Sequence, residues 1–114
     1  AMVVPVAPLD DLVDGPVDLI KIDVEGAEAL VVSGANRIID EQRPTVISEF
    51  SQEMLNRVSG VQALDYLQSW IDRGYDINLC HRDTHEIVPV ADPAAFIEGF
   101  ASYYVIEDLI LTPR

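Results

Sequence analysis

The chain has 114 residues and a formal net charge of −13, from 20 acidic and 7 basic side chains, and 49% of its residues are hydrophobic. That apolar content excludes a disordered tail, the length supports one small domain, and the charge argues against nucleic acid or an anionic membrane surface as a partner. No run approaches the roughly 18 uninterrupted apolar residues of a membrane span, and no basic segment followed by an apolar run marks a secretory leader.

Residues 1–16 read as a lead-in: an apolar, proline-bearing stretch, a short helical turn over Leu9–Val13, and a turn at Asp14-Gly15-Pro16. Residues 17–114 alternate strand and helix patterns, and the whole chain is expected to form one partial domain. Val17–Val24 reads as a strand with apolar residues on both faces, as in a buried parallel strand. A helix is expected from Gly26 to Glu41, because Ala27, Leu30, Val31, Gly34, Ala35, Ile38 and Ile39 recur at three-and-four spacing. Arg43-Pro44 stops it.

Thr45–Phe50 is the second strand, and Ser51–Leu55 starts a short helical turn. Ser59 and Gln62 have the spacing of a capping box. The helix they open is expected to bury Val61, Leu64, Leu67 and Ile71 and to end before Gly74. Tyr75–Arg82 is a third strand, and Asp83-Thr84-His85 turns into a short return strand over Glu86–Val90. Asp92-Pro93 starts another helix, with Phe96, Ile97 and Phe100 as its buried side. A last strand lies within Tyr103–Leu111, centred on Leu109, Ile110 and Leu111. The alternation predicts an α/β fold with a mostly parallel sheet. Cys80 is the lone cysteine, so no intrachain disulfide forms and a reducing compartment, the cytoplasm, is expected. Its place in Ile77–Cys80 predicts a small buried hydrophobe.

The segment Asp18-Leu19-Ile20-Lys21-Ile22-Asp23-Val24-Glu25-Gly26-Ala27-Glu28 carries the chemistry. A buried strand ends, three acids follow within six residues, and a helix begins. Ligands of open α/β sheets bind at the carboxyl ends of strands, which is where Asp23 and Glu25 fall. Asp23 is the leading catalytic candidate, since a carboxylate beside an acceptor hydroxyl serves as general base; the alternative is a turn aspartate holding backbone donors. Glu25 is a second catalytic candidate and Glu28 a substrate-binding one, although both also suit the positive end of a helix dipole. Lys21 is expected to pair with one of these acids. Glu49 ends the second strand on the same rim, and His81 with Arg82 ends the third, so Glu49 and His81 are further substrate-binding candidates; the alternatives are a loop carboxylate facing solvent for Glu49 and, favoured for His81, a surface turn histidine. Asp23, Glu25 and Glu49 could converge on magnesium, but their spacing does not demand it, and no metal site is assigned.

"VDLIKIDVEGAEALVVSGA", followed by "RPTVISEF" and preceded by Leu9-Asp10-Asp11, resembles the FkbM-type methyltransferases. The resemblance is specific from about Pro8 to Phe50 and looser beyond; Val31-Val32-Ser33 before Gly34-Ala35 departs from the family's usual leucine and basic residue. It implies the C-terminal half of a Rossmann-like class I fold whose last strand is antiparallel. It also implies methyl transfer from S-adenosylmethionine to a hydroxyl of a sugar or secondary metabolite. Val17–Val24 and Thr45–Phe50 would be the fourth and fifth strands of seven. The family's glycine-rich cofactor loop has no counterpart here: the six glycines are Gly15, Gly26, Gly34, Gly60, Gly74 and Gly99, and no two form Gly-x-Gly. No cofactor-binding residue is assigned, and the chain alone is expected to be inactive.

The truncation the resemblance implies would leave the edge of Asp18–Val24 bare, and exposed apolar edges invite strand pairing, so a homodimer or larger assembly is expected. Two other readings stand beside the enzyme: a non-catalytic acidic interaction module, and a magnesium-dependent βα enzyme of another kind.

Overall fold

The computed structural model describes residues 2–100 and 103–114. In chain order the elements are α1 (Leu9–Leu12), β1 (Leu19–Ile22), α2 (Glu28–Ser33), α3 (Asn36–Gln42), β2 (Thr45–Phe50) and α4 (Gln52–Ser59). They continue with α5 (Ala63–Asp72), β3 (Tyr75–Cys80), β4 (Ile87–Pro89), α6 (Pro93–Gly99) and β5 (Glu107–Pro113). The strands form one sheet in the order β1-β2-β5-β3-β4.

The mostly parallel sheet expected from the sequence is corrected to a mixed one. Only β1 and β2 pair in parallel; β2 with β5, β3 with β5, and β3 with β4 are antiparallel. The cause is β5, which returns between β2 and β3. Strands β1, β2 and β3 therefore point the same way, although β3 touches neither of the others. The last strand is antiparallel, as expected.

Alternation along the strands sorts the sheet into two unlike faces. Ile22, Val46, Phe50, Leu109, Leu111, Ile77 and Leu79 are buried in one apolar core with Val32, Ile39, Leu55, Leu67 and Trp70 of the helices. The row Lys21, Ile47, Ile110 and Asn78, in register across the sheet, lies on the opposite face and is only partly covered or exposed. Cys80 shares that open face and is half-buried, not the core residue expected.

Several boundaries move for local reasons. The first strand is four residues, not eight, because Val17 N–H is taken by the Gln42 side chain and Asp18 C=O by Thr45 at the strand's mouth. The expected helix over Gly26–Glu41 is two helices. At Gly34 the entering chain crosses so closely that a Cβ would stand 3.1 Å from Pro8, and Asp10 N–H bonds Gly34 C=O at 2.9 Å. The Asp10 carboxylate then accepts the N–H groups of Arg37 (2.9 Å) and Ile38 (3.0 Å), supplying the start of α3 with a cap from a distant residue.

The capping box at Ser59 is also corrected. Ser59 is the last residue of α4, its hydroxyl donates to Gly26 C=O, and α5 begins after Gln62 with no side-chain cap. The true caps are Ser51, which accepts from Met54 N–H, and Asp92, which accepts from Ala95 N–H as expected. Helix α5 is rotated from the expected stripe: it buries Ala63, Tyr66, Leu67 and Trp70, while Leu64 is 38% exposed. The large rings decide this, since Trp70 packs edge-on against Tyr75 at 5.0 Å and Tyr66 at 6.3 Å. Two leucines three residues apart on α5 should thus respond differently. Leu67→Ala is expected to lower stability by about 2–5 kcal/mol and Leu64→Ala by less than about 1 kcal/mol, read from urea unfolding.

Candidate functional site

The loop after β1 is held in an unusual backbone shape. Glu25 and Gly26 have successive positive φ values of 51° and 101°, which turns the chain back on itself. Both oxygens of the Glu28 carboxylate accept Gly26 N–H at 3.1 Å, and one also accepts Val24 N–H at 3.1 Å. From below, Ser59 holds Gly26 C=O, and a Cβ on Gly26 would stand 2.5 Å from Met54 C=O. Gly26 is therefore required by the packing of α4 under the loop. Glu28, expected at the substrate, is fully buried and engaged with the loop's own backbone. Burial pushes its carboxyl pKa up, against the lowering effect of the N–H groups it accepts; the Asp23 charge raises it further.

The clamped loop presents Asp23 and Glu25 to solvent at the carboxyl end of β1. Asp23 reaches Glu49, the fifth residue of β2, within hydrogen-bonding distance. Glu49 is only 6% exposed. Burial first, then the hydrogen bond and charge of Asp23, push the Glu49 pKa up to about 7; Arg82 opposes the shift. Glu49 therefore keeps its proton well above the ordinary carboxylate range, as burial and a like charge at close range favour.

Arg82 anchors this pair. Its guanidinium grips both oxygens of Asp108, at 2.9 and 3.1 Å, and reaches Glu49 at 3.3 Å, while its backbone N–H donates to Glu107 at 2.7 Å. The hydrogen bonds that Arg82 donates to Asp108 lead the interactions that hold it protonated more firmly than an ordinary arginine. Asp23, Arg82, Asp108 and Lys21 edge a cleft of about 620 Å³ on the open face, floored by Ile47 and Ile110. Lys21, expected in an ion pair with a neighbouring acid, makes none among the described residues. His81 falls on the other face of the sheet, with Nδ1 3.6 Å from Glu107. Glu25 stays exposed and makes no ion pair among the described residues. Among the described residues no group of three or more His, Cys, Asp or Glu is arranged to hold a metal ion.

Sequence reasoning gave Arg82 no role and passed over Glu107 and Asp108. The available signal was a basic residue just past one strand and acids opening its antiparallel neighbour, which register places side by side.

The carboxyl pair has a clear titration signature. The Glu49 side-chain carbon in NMR should titrate with a midpoint of about 7, and Asp23→Asn should move that midpoint down towards the ordinary 4.5. The folded protein holds this proton more tightly than the unfolded chain. The resulting stability is complete below pH 4.5 and is lost as pH rises through about 7. Glu49→Gln should lose less stability than the wild type across that window in urea unfolding.

The family model described as the methyltransferase FkbM domain matches residues 1–77, which include α1 to α5, the loop after β1, Asp23 and Glu49. No curated protein and no solved structure matches the chain. With about two thirds of its length inside that match, the chain belongs to the FkbM methyltransferase domain family.

Proposed function

We propose that the chain is part of an S-adenosylmethionine-dependent O-methyltransferase acting on a hydroxyl of a sugar or secondary metabolite. The observation that carries this reading is the Asp23–Glu49 pair, set at the carboxyl ends of β1 and β2 beside an open cleft. An acceptor hydroxyl lying in the cleft donates to the pair, which takes its proton as the oxygen becomes nucleophilic. Arg82 keeps Glu49 in place while that proton arrives. Lys21, facing the same cleft, offsets negative charge on the acceptor.

The strand order supports a C-terminal Rossmann-like half. Strands β1, β2 and β3 share a direction, with antiparallel β5 between the last two, and helices α2 to α6 cover one face.

The residues of this chain do not by themselves fit the cofactor. There is no Gly-x-Gly, the space a ligand would need at Gly26 is filled by Met54, and the N–H groups of Val24 and Gly26 are taken by Glu28. We therefore propose that the isolated chain binds S-adenosylmethionine poorly and transfers no methyl group. Calorimetry with S-adenosylhomocysteine should show no saturable heat, and micromolar binding would refute the proposed inactivity. In a protein that joins this rim to a glycine-rich cofactor loop, Asp23→Asn should lower kcat by about 10²–10⁴-fold.

The edge of β1 favours an interaction role beside the catalytic one. β1 ends the sheet, and Leu19 is 58% exposed there. We propose that two copies associate through this edge, in the cytoplasm, which suits a chain with one cysteine. No helix of the described residues is long and apolar enough to cross a membrane. Light scattering should give twice the chain mass at high concentration; a monomer throughout would sink the dimer.

A further inference from the structure

A second cavity, of about 420 Å³, lies on the helix-covered side of the sheet, away from the acidic cleft. Its walls include Phe96, Phe100, Val105, His81 and Glu107. Phe96 and Phe100 stand 5.2 Å apart between ring centres, and Phe50 backs both, at 6.4 and 5.9 Å. The two polar side chains of the lining, His81 and Glu107, form one pair.

That pair is built from fixed parts. Glu107 is 7% exposed, and its Oε2 accepts Arg82 N–H at 2.7 Å. The guanidinium of Arg82 is turned to Asp108 and Glu49 on the other face, so the ring of His81, 3.6 Å away, is the ionisable partner left to Glu107 among the described ion pairs. His81 is pinned through its own backbone: its N–H donates to Glu86 C=O at 2.9 Å, and its C=O accepts from His85 N–H at 2.8 Å. In the neutral ring, a buried carboxylate facing Nδ1 favours the tautomer with the proton on that nitrogen. Nε2 is then the hydrogen-bond acceptor.

We propose that this cavity binds a planar aromatic hydroxyl compound, a phenol, its ring against Phe96 and Phe100 and its hydroxyl donating to Nε2 of His81. The walls decide between classes of hydroxyl. A sugar would bring several hydroxyls to a cavity that offers one acceptor nitrogen and one engaged carboxylate, so most of them would find no partner on the protein. A phenol has a single hydroxyl and an apolar ring that packs edge or offset against the phenylalanines. Its hydroxyl, with a pKa of about 10, is also a stronger donor to an imidazole than an aliphatic alcohol. The site stands independently of the methyl-transfer reading, because it uses neither the acidic cleft nor a cofactor.

The test compares 4-methylphenol with toluene, its counterpart without the hydroxyl, by NMR titration of the whole chain. The expected result is saturable shifts at the rings of His81, Phe96 and Phe100, with 4-methylphenol roughly five-fold tighter, the worth of one hydrogen bond. In His81→Phe that preference should shrink to less than about two-fold while toluene still binds. If that variant fails to fold, the wild type decides alone: the Nε2 nitrogen shift of His81 should move with 4-methylphenol and not with toluene. Equal binding of the two probes, shifts elsewhere on the molecule, absence of saturation, or a preference kept in His81→Phe would each overturn the proposal.

Discussion

Glu28 lies wholly inside the protein, with both oxygens turned to the N–H groups of the loop that precedes it. An isolated buried carboxylate is costly, and an unpaired buried N–H costs about 1–3 kcal/mol, so each side of this contact depends on the other. The contact ties the end of β1 to the start of α2 and fixes the direction in which Asp23 leaves the sheet. Met54 and Ser59 of α4 close on the same loop from beneath, which links the rim to the second layer of helices. The position of Asp23 beside Glu49 follows from this clamp, and with it the part of Glu49's raised proton affinity that Asp23 adds to the larger effect of burial.

The sheet divides the chemistry of the rim in two. On the open face, Asp23, Glu49, Arg82 and Asp108 form a charged set over an apolar floor. On the covered face, His81 and Glu107 stand among phenylalanines. Arg82 belongs to both: its guanidinium serves the first face, and its backbone N–H holds the carboxylate of the second. Adjacent residues of an extended chain point to opposite sides, so His81 and Arg82, neighbours in sequence, act in different surroundings.

Much of this was legible in the residues. The apolar runs located all five strands, and the strand-to-helix segment with its three acids located the rim. Asp92-Pro93 announced its own helix. What stayed hidden depended on contacts between distant residues. Asp10 caps a helix more than twenty residues away, a function no local pattern encodes. Gly34 looked like a small residue on a continuous stripe until the crossing of Pro8 explained why the helix breaks there. The buried side of α5 was set by Tyr66 and Trp70, whose rings outweigh the leucine at Leu64 in packing. Glu28 showed the same helix-start signature whether its carboxylate faced a ligand or its own loop, and periodicity has no means of separating the two.

The place of β5 gives the order of synthesis a meaning. Residues 107–113 fill the slot between β2 and β3, so the two halves of the sheet share no backbone ladder without them. While the ribosome is still making the chain, the β1-β2 pair and the β3-β4 pair share no ladder with each other. The core between them closes when β5 arrives, and it closes by long-range pairing, which is slow. Until then the apolar sides of β2 and β3 are open to other chains in the cell. A nascent protein of this design relies on chaperones, or on speed in docking β5, more than one whose joining strand is made first.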